Sequence, residues 1–570
     1  MSDSGSGDSK KAKDTWTIRG KLDKRAFPDL KFSPVFKSLM KIRGLETTDD
    51  IMHFVMPSLG DLRDPVLMKG MDAACERISR ALERNEKIGL FTDYDVDGVC
   101  SAALIYLFFI KLGYPPPAVF IPDRATDGYG LNTRGIEGLH AKGVSLLITA
   151  DCGINAIEEV VYAKSLGMDV IITDHHEPDT KLPDAYSIIN PKQGDCPFSD
   201  QDLCGAGVVF HLMVALRAFL RAKGMESLPN LREDLDLVAM ATIADVVSLS
   251  GINRILVKEG LKVLNEGKRV GISALADVSG IRSTVIARDI GYILGPRINA
   301  AGRISNAYKS FELLTTDDPR KARGIAMELH MLNRQRQAEE QKVFKDVLAM
   351  VEDSGNTSEA IVVAGTNWHR GVIGIVASRI SERFSKPCIV ISITDGVGQG
   401  SGRSVEGIDL YKAVSKVSHL LNTFGGHTMA VGISIDTEKI LTFSEALNSV
   451  LALDKAVHKP GVIVDMEISP EDLTPGLLDE LEMMGPFGIG NPEPIFMIPK
   501  MRVINIQRSG NNGFNMVLKQ NDRIFNAVFH SRGLVREEIP KIANVAFTSY
   551  KKRLNGYNHL YQNVKAVSPA

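Results

Sequence analysis

The chain has 570 residues, with 67 Lys and Arg against 69 Asp and Glu and a formal net charge of −2. At about 100–200 residues per domain this predicts several domains, and 44% hydrophobic with 24% charged residues excludes a disordered or fibrous chain. Near-neutrality also weighs against a nucleic-acid binder, which usually shows an excess of Lys and Arg.

The amino end, MSDSGSGDSKKAK, lacks the apolar core of a secretory signal and reads as a disordered tail over residues 1–15. The apolar run from Gly98 to Ile110 is too short for the ~20 residues of a membrane helix, so no membrane partner is expected. The six cysteines (75, 100, 152, 196, 204 and 388) form no CxxC pair. That speaks against a zinc knuckle or a disulfide framework and predicts a cytoplasmic protein.

From residue 87 onward, short apolar runs alternate with helical patterns. KIGLFTD (87–93), AVFIPD (118–123), SLLITAD (145–151) and DVIITD (169–174) read as strands, separated by helices near 98–111, 133–142 and 155–166. Continuous apolar runs with crossover helices predict an α/β fold with a doubly wound parallel sheet. Residues 200–310 read as mostly helical and extend this first domain, placed at 16–318. A charged helix over 319–352 follows. Its middle, NRQRQAEEQK, carries few apolar residues and reads as a bridge between domains.

A second, smaller α/β domain is placed at 353–460. It has strands AIVVAG (360–365) and CIVISI (388–393), a glycine-rich turn GQGSGRS (398–404), and FGGHTMAVGISI (424–435) as a turn and a strand. Closely spaced strands over 461–570 suggest a small OB-like β-barrel.

The chemistry gathers at strand ends. Asp93, Asp95 and Asp97 occupy DYDVDG after the first strand, Asp151 closes the third, and Asp174, His175 and His176 close the fourth. Carboxyl ends of parallel strands face one crevice, so these groups converge. Carboxylates that close repel one another and need cations. Mixed carboxylate and imidazole ligation without thiolate favours a pair of Mn²⁺ or Mg²⁺ ions, suited to displacement at phosphorus. A lone DxDxDG also occurs in calcium loops and Asx turns, but here no Glu stands at loop position twelve. The coincidence of three acid-bearing strand ends carries the functional reading.

DYDVDGVCSA (93–102), TADCGI (149–154), TDHHEP (173–178) and ATIADVVSL (241–249) resemble the four motifs of the DHH phosphoesterase superfamily. GPRINAAGR (295–303), GQGSGRS (398–404) and FGGH (424–427) narrow the resemblance to RecJ-type single-strand-specific exonucleases with a DHHA1 domain. The resemblance implies that Asp95 and Asp97 each bind one metal and that Asp151 bridges both. His175 and Asp245 then complete the second site. It also implies that His176 faces the scissile phosphate while Asp174 orients the motif. Many relatives carry a His where this chain has Phe91, the RecJ branch often lacks it as well, and Asp93 is the candidate ligand in its place.

Phosphate contacts are sought among arginines. Arg124 follows a strand end, and Arg297 and Arg303 flank a Gly-Pro/Ala-Ala-Gly loop. Arg403 stands beside Gly400, Gly402, Ser401 and Ser404, where backbone can approach a phosphate closely. Gly425-Gly426-His427 offers a similar approach, with His427 as donor. Trp368, His369 and Arg370 open a helix as either binding or capping residues. Over residues 496–570 twelve Lys and Arg stand against three acids, interleaved with Phe514, Phe525, Phe529, Tyr550, Tyr557 and Tyr561. Such a barrel suits single-stranded nucleic acid, although most of these aromatics are expected in its core.

The reading is therefore a two-metal exonuclease that degrades single-stranded DNA to mononucleotides in repair and recombination. The 5′ end is implied by the resemblance, with a helicase and a single-strand-binding protein as partners. The alternatives are a phosphodiesterase for short oligonucleotides or cyclic dinucleotides, a pyrophosphatase, and a non-catalytic DNA-binding scaffold.

Overall fold

The computed structural model describes residues 16–570 apart from 125, 129, 199, 201, 354, 356–357, 454–460, 510–512, 531–538 and 555–556, with side chains at 552–559 also left aside. The tail expected over 1–15 lies outside the described residues. The chain forms two compact units, one of residues 58–457 with 486–491, the other of residues up to 57 with 458–485 and 492–570.

The larger unit begins with a parallel sheet. Its strands are β1 (Ile88–Thr92), β2 (Ala118–Phe120), β3 (Leu146–Ala150), β4 (Asp169–Thr173) and β5 (Ser187–Ile189), in the order β2-β1-β3-β4-β5. Every residue of β1 and β3 is buried, as two helix-covered faces require. Each buried Leu or Ile there contributes about 1.5–3 kcal/mol. The fifth strand was not anticipated, because three residues are too few to show a period.

Helix α1 (Val96–Lys111) follows β1 and is buried nearly all round. Helices α2 (Gly205–Ala222) and α3 (Leu235–Ala244) pack in the same core. By composition α2 is apolar enough to cross a membrane, yet 67% of it is buried inside the unit. GPRINAAGR, expected as a loop, is instead helix α4 (Gly295–Ile304), with Pro296 in its first turn. Proline suits that position, where its missing N–H has no helical partner anyway. Gly302 lets the helix close on the turn after β1, since a Cβ there would lie 2.7 Å from the carbonyl oxygen of Tyr94.

Helix α5 (Pro319–Asp353) runs 35 residues, about 52 Å at 1.5 Å per residue. Its first half buries Ala322, Ile325, Ala326 and Leu329 in the first core. Its second half buries Val343, Phe344, Val347 and Val351 in another. The second sheet comprises β6 (Ile361–Thr366), β7 (Cys388–Thr394), β8 (Val397–Arg403), β9 (Thr423–His427) and β10 (Ala430–Asp436), in the order β9-β10-β8-β7-β6. Helix α6 (Arg370–Phe384) packs against β7 and β8.

GQGSGRS is thus a strand and not a turn, and FGGH likewise forms β9. The glycines of β8 share one face, where branched side chains of the neighbouring strands fill the space. A Cβ at Gly398 would meet Ile391 at 2.7 Å, at Gly400 Ile433 at 2.6 Å, and at Gly402 Val431 at 2.5 Å. Alternation therefore sends Gln399, Ser401 and Arg403 to the opposite face.

In the other unit, strands Phe496–Ser509, Gly513–Gln520, Arg523–His530, Tyr557–Pro569 and Ile542–Leu554 pair in sequence around a ring. The first and last of these also pair and close the barrel. The strand Thr17–Gly20, which the sequence reading grouped with residues 16–318, pairs in parallel with Ile463–Glu467 and so adds to this sheet. All six cysteines are free, and all but Cys196 are buried.

Candidate active site

The strand order reverses between β1 and β3, the point where open α/β sheets bind ligands. Asp93 directly follows β1. Asp95 caps α1, its Oδ1 accepting the N–H of Gly98 at 3.1 Å. Asp97, in the first turn of α1, is fully buried and accepts the N–H groups of Gly205 (2.6 Å) and Ala206 (2.7 Å) at the start of α2. Asp151 follows β3 at φ +62°. A Cβ at Gly205 would lie 2.7 Å from Asp151 Cβ, so glycine there leaves room for the acid.

Asp174, after β4, is a hydrogen-bond hub. Its Oδ2 accepts the N–H of Ile154 at 2.9 Å. Its Oδ1 accepts the backbone N–H groups of His175 (2.7 Å) and His176 (3.1 Å) and lies 2.7 Å from Nδ1 of His176.

Three sets of donor atoms, each mutually within 4.8 Å, result: Asp93, Asp95 and Asp151; Asp97, His175 and Asp245; and Asp151, His175 and His176. Nε2 of His175 lies 3.1 Å from Asp151, 3.7 Å from Asp245 and 3.8 Å from Asp97. Asp93 Oδ1, Asp151 Oδ1 and His175 Nε2 are buried without a hydrogen-bond partner among the described residues. Orphaned buried donors of this kind call for a ligand, and an oxygen-rich set with one imidazole fits Mn²⁺ or Mg²⁺. Asp151 belongs to two of the sets. Phe91 is core, stacked on Phe120 with centroids 5.1 Å apart, and Asp93 occupies the place beside Asp95.

Electrostatics agree. Burial and then the Asp95 charge raise Asp93 well above the carboxylate range and Asp97 to about 7. Burial with the surrounding acids raises Asp151 strongly and Asp245 to about 9. Burial and then His176 push His175 down to about 3, keeping it neutral and able to ligate. For His176 burial works the other way, but the Asp174 hydrogen bond and charge raise it to about 9.

A group of guanidiniums stands beside the acids. Arg124 lies over the ring of Tyr94, 4.6 Å from its centroid. Arg303 donates to the carbonyl of Gly371 at 3.1 Å. Arg403 donates to Ser401 Oγ at 3.2 Å and to Gly402 O at 2.7 Å. Burial lowers Arg303 to about 10. Arg124, Arg336 and Arg403 deepen the shift and Asp95 opposes it. Arg297 instead turns to the Ile293 carbonyl (2.6 Å) and His330 Nδ1 (3.3 Å). His427 is exposed at the end of β9.

His369 caps α6, its Nδ1 accepting the N–H of Gly371 at 3.0 Å, and Trp368 is buried with Nε1 donating to Asp346. Asn299, which the sequence reading passed over, accepts the N–H of Val96 at 3.1 Å and so braces the acid-bearing turn. Its place inside GPRINAAGR was the available signal.

On the barrel, Phe514, Phe525 and Phe529 are core, whereas Tyr550 and Tyr561 pair with centroids 6.0 Å apart and Tyr550 is exposed. Arg502, Arg508, Arg523 and Lys565 are exposed. Lys551 is engaged by Asp479 and Glu482. Arg532 and Arg536 lie outside the described residues, as do the side chains of Lys552, Arg553 and Tyr557.

Comparison with known proteins follows the same division. Residues 87–242 match the DHH family, N-terminal domain, 357–453 the DHHA1 domain and 464–566 the RecJ OB domain. The single-stranded-DNA-specific exonuclease RecJ of Salmonella typhimurium is 37% identical over 84% of this chain and 85% of its own length. That of Bacillus subtilis is 36% identical over 90% of this chain, which spans 64% of its length. The crystal structure of RecJ in complex with Mn²⁺ from Thermus thermophilus covers 97% of this chain and 79% of its own, at TM-score 0.83 and 28% identity. With its acids and histidines on the DHH sheet and a barrel at its carboxyl end, the chain belongs to the RecJ family.

Proposed function

We propose that the chain is a metal-dependent exonuclease that hydrolyses single-stranded DNA to mononucleotides from the 5′ end, in DNA repair and recombination. One observation carries the reading: Asp93, Asp95, Asp97, Asp151, His175 and Asp245 converge at the sheet's switch point with buried donor atoms left unpaired. Asp93, Asp95 and Asp151 would hold one cation, and Asp97, His175 and Asp245 with Asp151 the other. Two such cations, Mn²⁺ or Mg²⁺, acidify water and neutralise charge at a phosphoryl group.

The rest falls to the chain's own groups. His176, protonated and held at Nδ1 by Asp174, is assigned as a donor to a phosphate oxygen. Arg124, Arg303 and Arg403 with Ser401 supply fixed positive charge where the phosphoryl group gains negative charge, and His427 and Arg297 are assigned to the strand's more distant phosphates. Tyr550, Tyr561 and the exposed arginines of the barrel suit base stacking and backbone attraction. The polarity follows the family resemblance. Single-stranded DNA is the macromolecular partner, with a helicase and a single-strand-binding protein as the proteins that would expose it. A cytoplasmic setting keeps the buried thiols reduced.

The deciding experiment offers 5′-labelled single-stranded DNA, its duplex, pyrophosphate and a diribonucleotide with Mn²⁺, Mg²⁺ or EDTA. Release of mononucleotides from single strands in the presence of metal is expected. Preference for pyrophosphate or the diribonucleotide, or no hydrolysis, overturns the proposal.

A further inference from the structure

Residues Pro486–Asn491 (PFGIGN) interrupt the sequence that builds the barrel unit, yet they pack as part of the larger unit. They fold into a tight turn. Gly488 donates to the Asn491 carbonyl at 3.0 Å, Asn491 returns a bond to the Gly488 carbonyl at 3.2 Å, and its buried side-chain amide donates to the Pro486 carbonyl at 2.8 Å. The tip of the turn grips another segment, Ile489 O accepting the N–H of Leu249 at 2.7 Å. Gly490 sits at φ +74°, and a Cβ there would lie 1.9 Å from Ser248 Oγ. A Cβ at Gly488 would lie 2.8 Å from Leu249 Cδ1. Both glycines let the turn lie flush on residues 248–249, just past Asp245.

The segment it grips is strained. Asp245 ends α3, its N–H bound to the Ala241 carbonyl at 2.9 Å. Val246 follows at φ +65°, a region that β-branched residues seldom enter. Its side chain is 58% exposed, so little burial compensates the conformation. Ser248 is then fixed again, its N–H on Asp202 at 3.1 Å and its carbonyl on Asn253 at 3.0 Å. A strained residue persists only where both flanks are over-determined. Here one flank is a helix end, and the other is the Asp202, Asn253 and PFGIGN contacts.

We infer that Pro486–Asn491 is a strap that positions Asp245 for metal binding, holding Val246 in its left-handed conformation and so aiming the Asp245 carboxylate at His175 and Asp97. The inference rests on Asp245 being a metal ligand. Residues that orient ligands typically change metal affinity by about 10–100-fold when altered.

Mn²⁺ binding to the full chain, measured by titration calorimetry, tests this. Gly490→Ala should weaken Mn²⁺ binding by about 10–100-fold, with the circular dichroism spectrum and single-stranded DNA binding in EDTA unchanged. Adding Val246→Gly should restore affinity, because glycine adopts the left-handed region unaided; a strap that merely stabilised the fold would not be rescued this way. Should Gly490→Ala fail to fold, Gly488→Ala, whose methyl meets the Leu249 side chain at Cδ1 (2.8 Å) and Cγ (3.3 Å) and no backbone atom, is read in the same manner. Wild-type Mn²⁺ affinity in the folded glycine variant, or no rescue by Val246→Gly, overturns the inference. Asp245→Asn separates the two claims: unchanged Mn²⁺ affinity in that variant overturns the ligand reading itself.

Discussion

Nδ1 of His176 lies 2.7 Å from Oδ1 of Asp174, a carboxylate that also receives three backbone N–H groups. Those bonds fix the acid, and the acid in turn holds the ring through Nδ1. Asp174→Asn keeps an acceptor for the backbone but loses the charge that holds His176 protonated. Turnover on single-stranded DNA should fall by about 10²-fold or more, with KM nearly unchanged. A steady-state comparison at saturating Mn²⁺ checks this.

Asp151 combines burial, four repelling acids and a left-handed backbone, so its place is costly without metal. Asp151→Asn, which tolerates that backbone, should abolish hydrolysis yet leave single-stranded DNA binding intact. In EDTA its melting temperature should equal or exceed that of the parent, since a buried repulsive carboxylate has gone. Differential scanning calorimetry with and without Mn²⁺ gives both halves of the result.

The acid cluster also sets a pH dependence. Asp97 at about 7, Asp245 at about 9, and Asp93 and Asp151 raised well above normal keep protons in the folded metal-free chain. The unfolded chain sheds those protons near pH 4. Folded stability is therefore fully present below that pH and is lost as pH rises through about 7 and about 9. The gain in melting temperature on adding Mn²⁺ should be larger at about pH 8.5 than at about pH 5.5. Metal binding should also release protons, visible as a buffer-dependent enthalpy.

Arg124 rests on the Tyr94 ring, and an interaction of this kind contributes about 0.5–2 kcal/mol. Tyr94→Leu should therefore raise KM for single-stranded DNA by up to about 30-fold, leaving Mn²⁺ affinity within error. Arg124→Ala should raise it at least as much, and the double variant should add little, because the two side chains act as one unit.

The acids were legible because chemistry restricts them. A carboxylate at each of three strand ends has few structural uses, and the strands were plain from their apolar runs. Glycine misled twice, at GQGSGRS and at FGGH, since its ordinary meaning is a turn. In β8 its use is to make room for Ile391, Ile433 and Val431, which lie on other strands. GPRINAAGR reads as a loop, yet it forms α4, with Pro296 in its first turn. The pairing of Thr17–Gly20 with Ile463–Glu467 joins segments far apart in the chain, and no local pattern announces such a partner. The strap at 486–491 was missed for the same reason, its glycines being explained only by Ser248 and Leu249.

Helix α5 buries one end in the first core and the other in the second, with Asn333 and Arg336 at the changeover. Each residue advances a helix by about 1.5 Å and turns it by about 100°. One inserted or deleted residue near 333–342 would swing every apolar anchor from Val343 to Val351 away from its socket. That segment therefore cannot change in length, and residue count, together with the buried Asn333 and Arg336, keeps Arg403 in register with Arg303 and the acids.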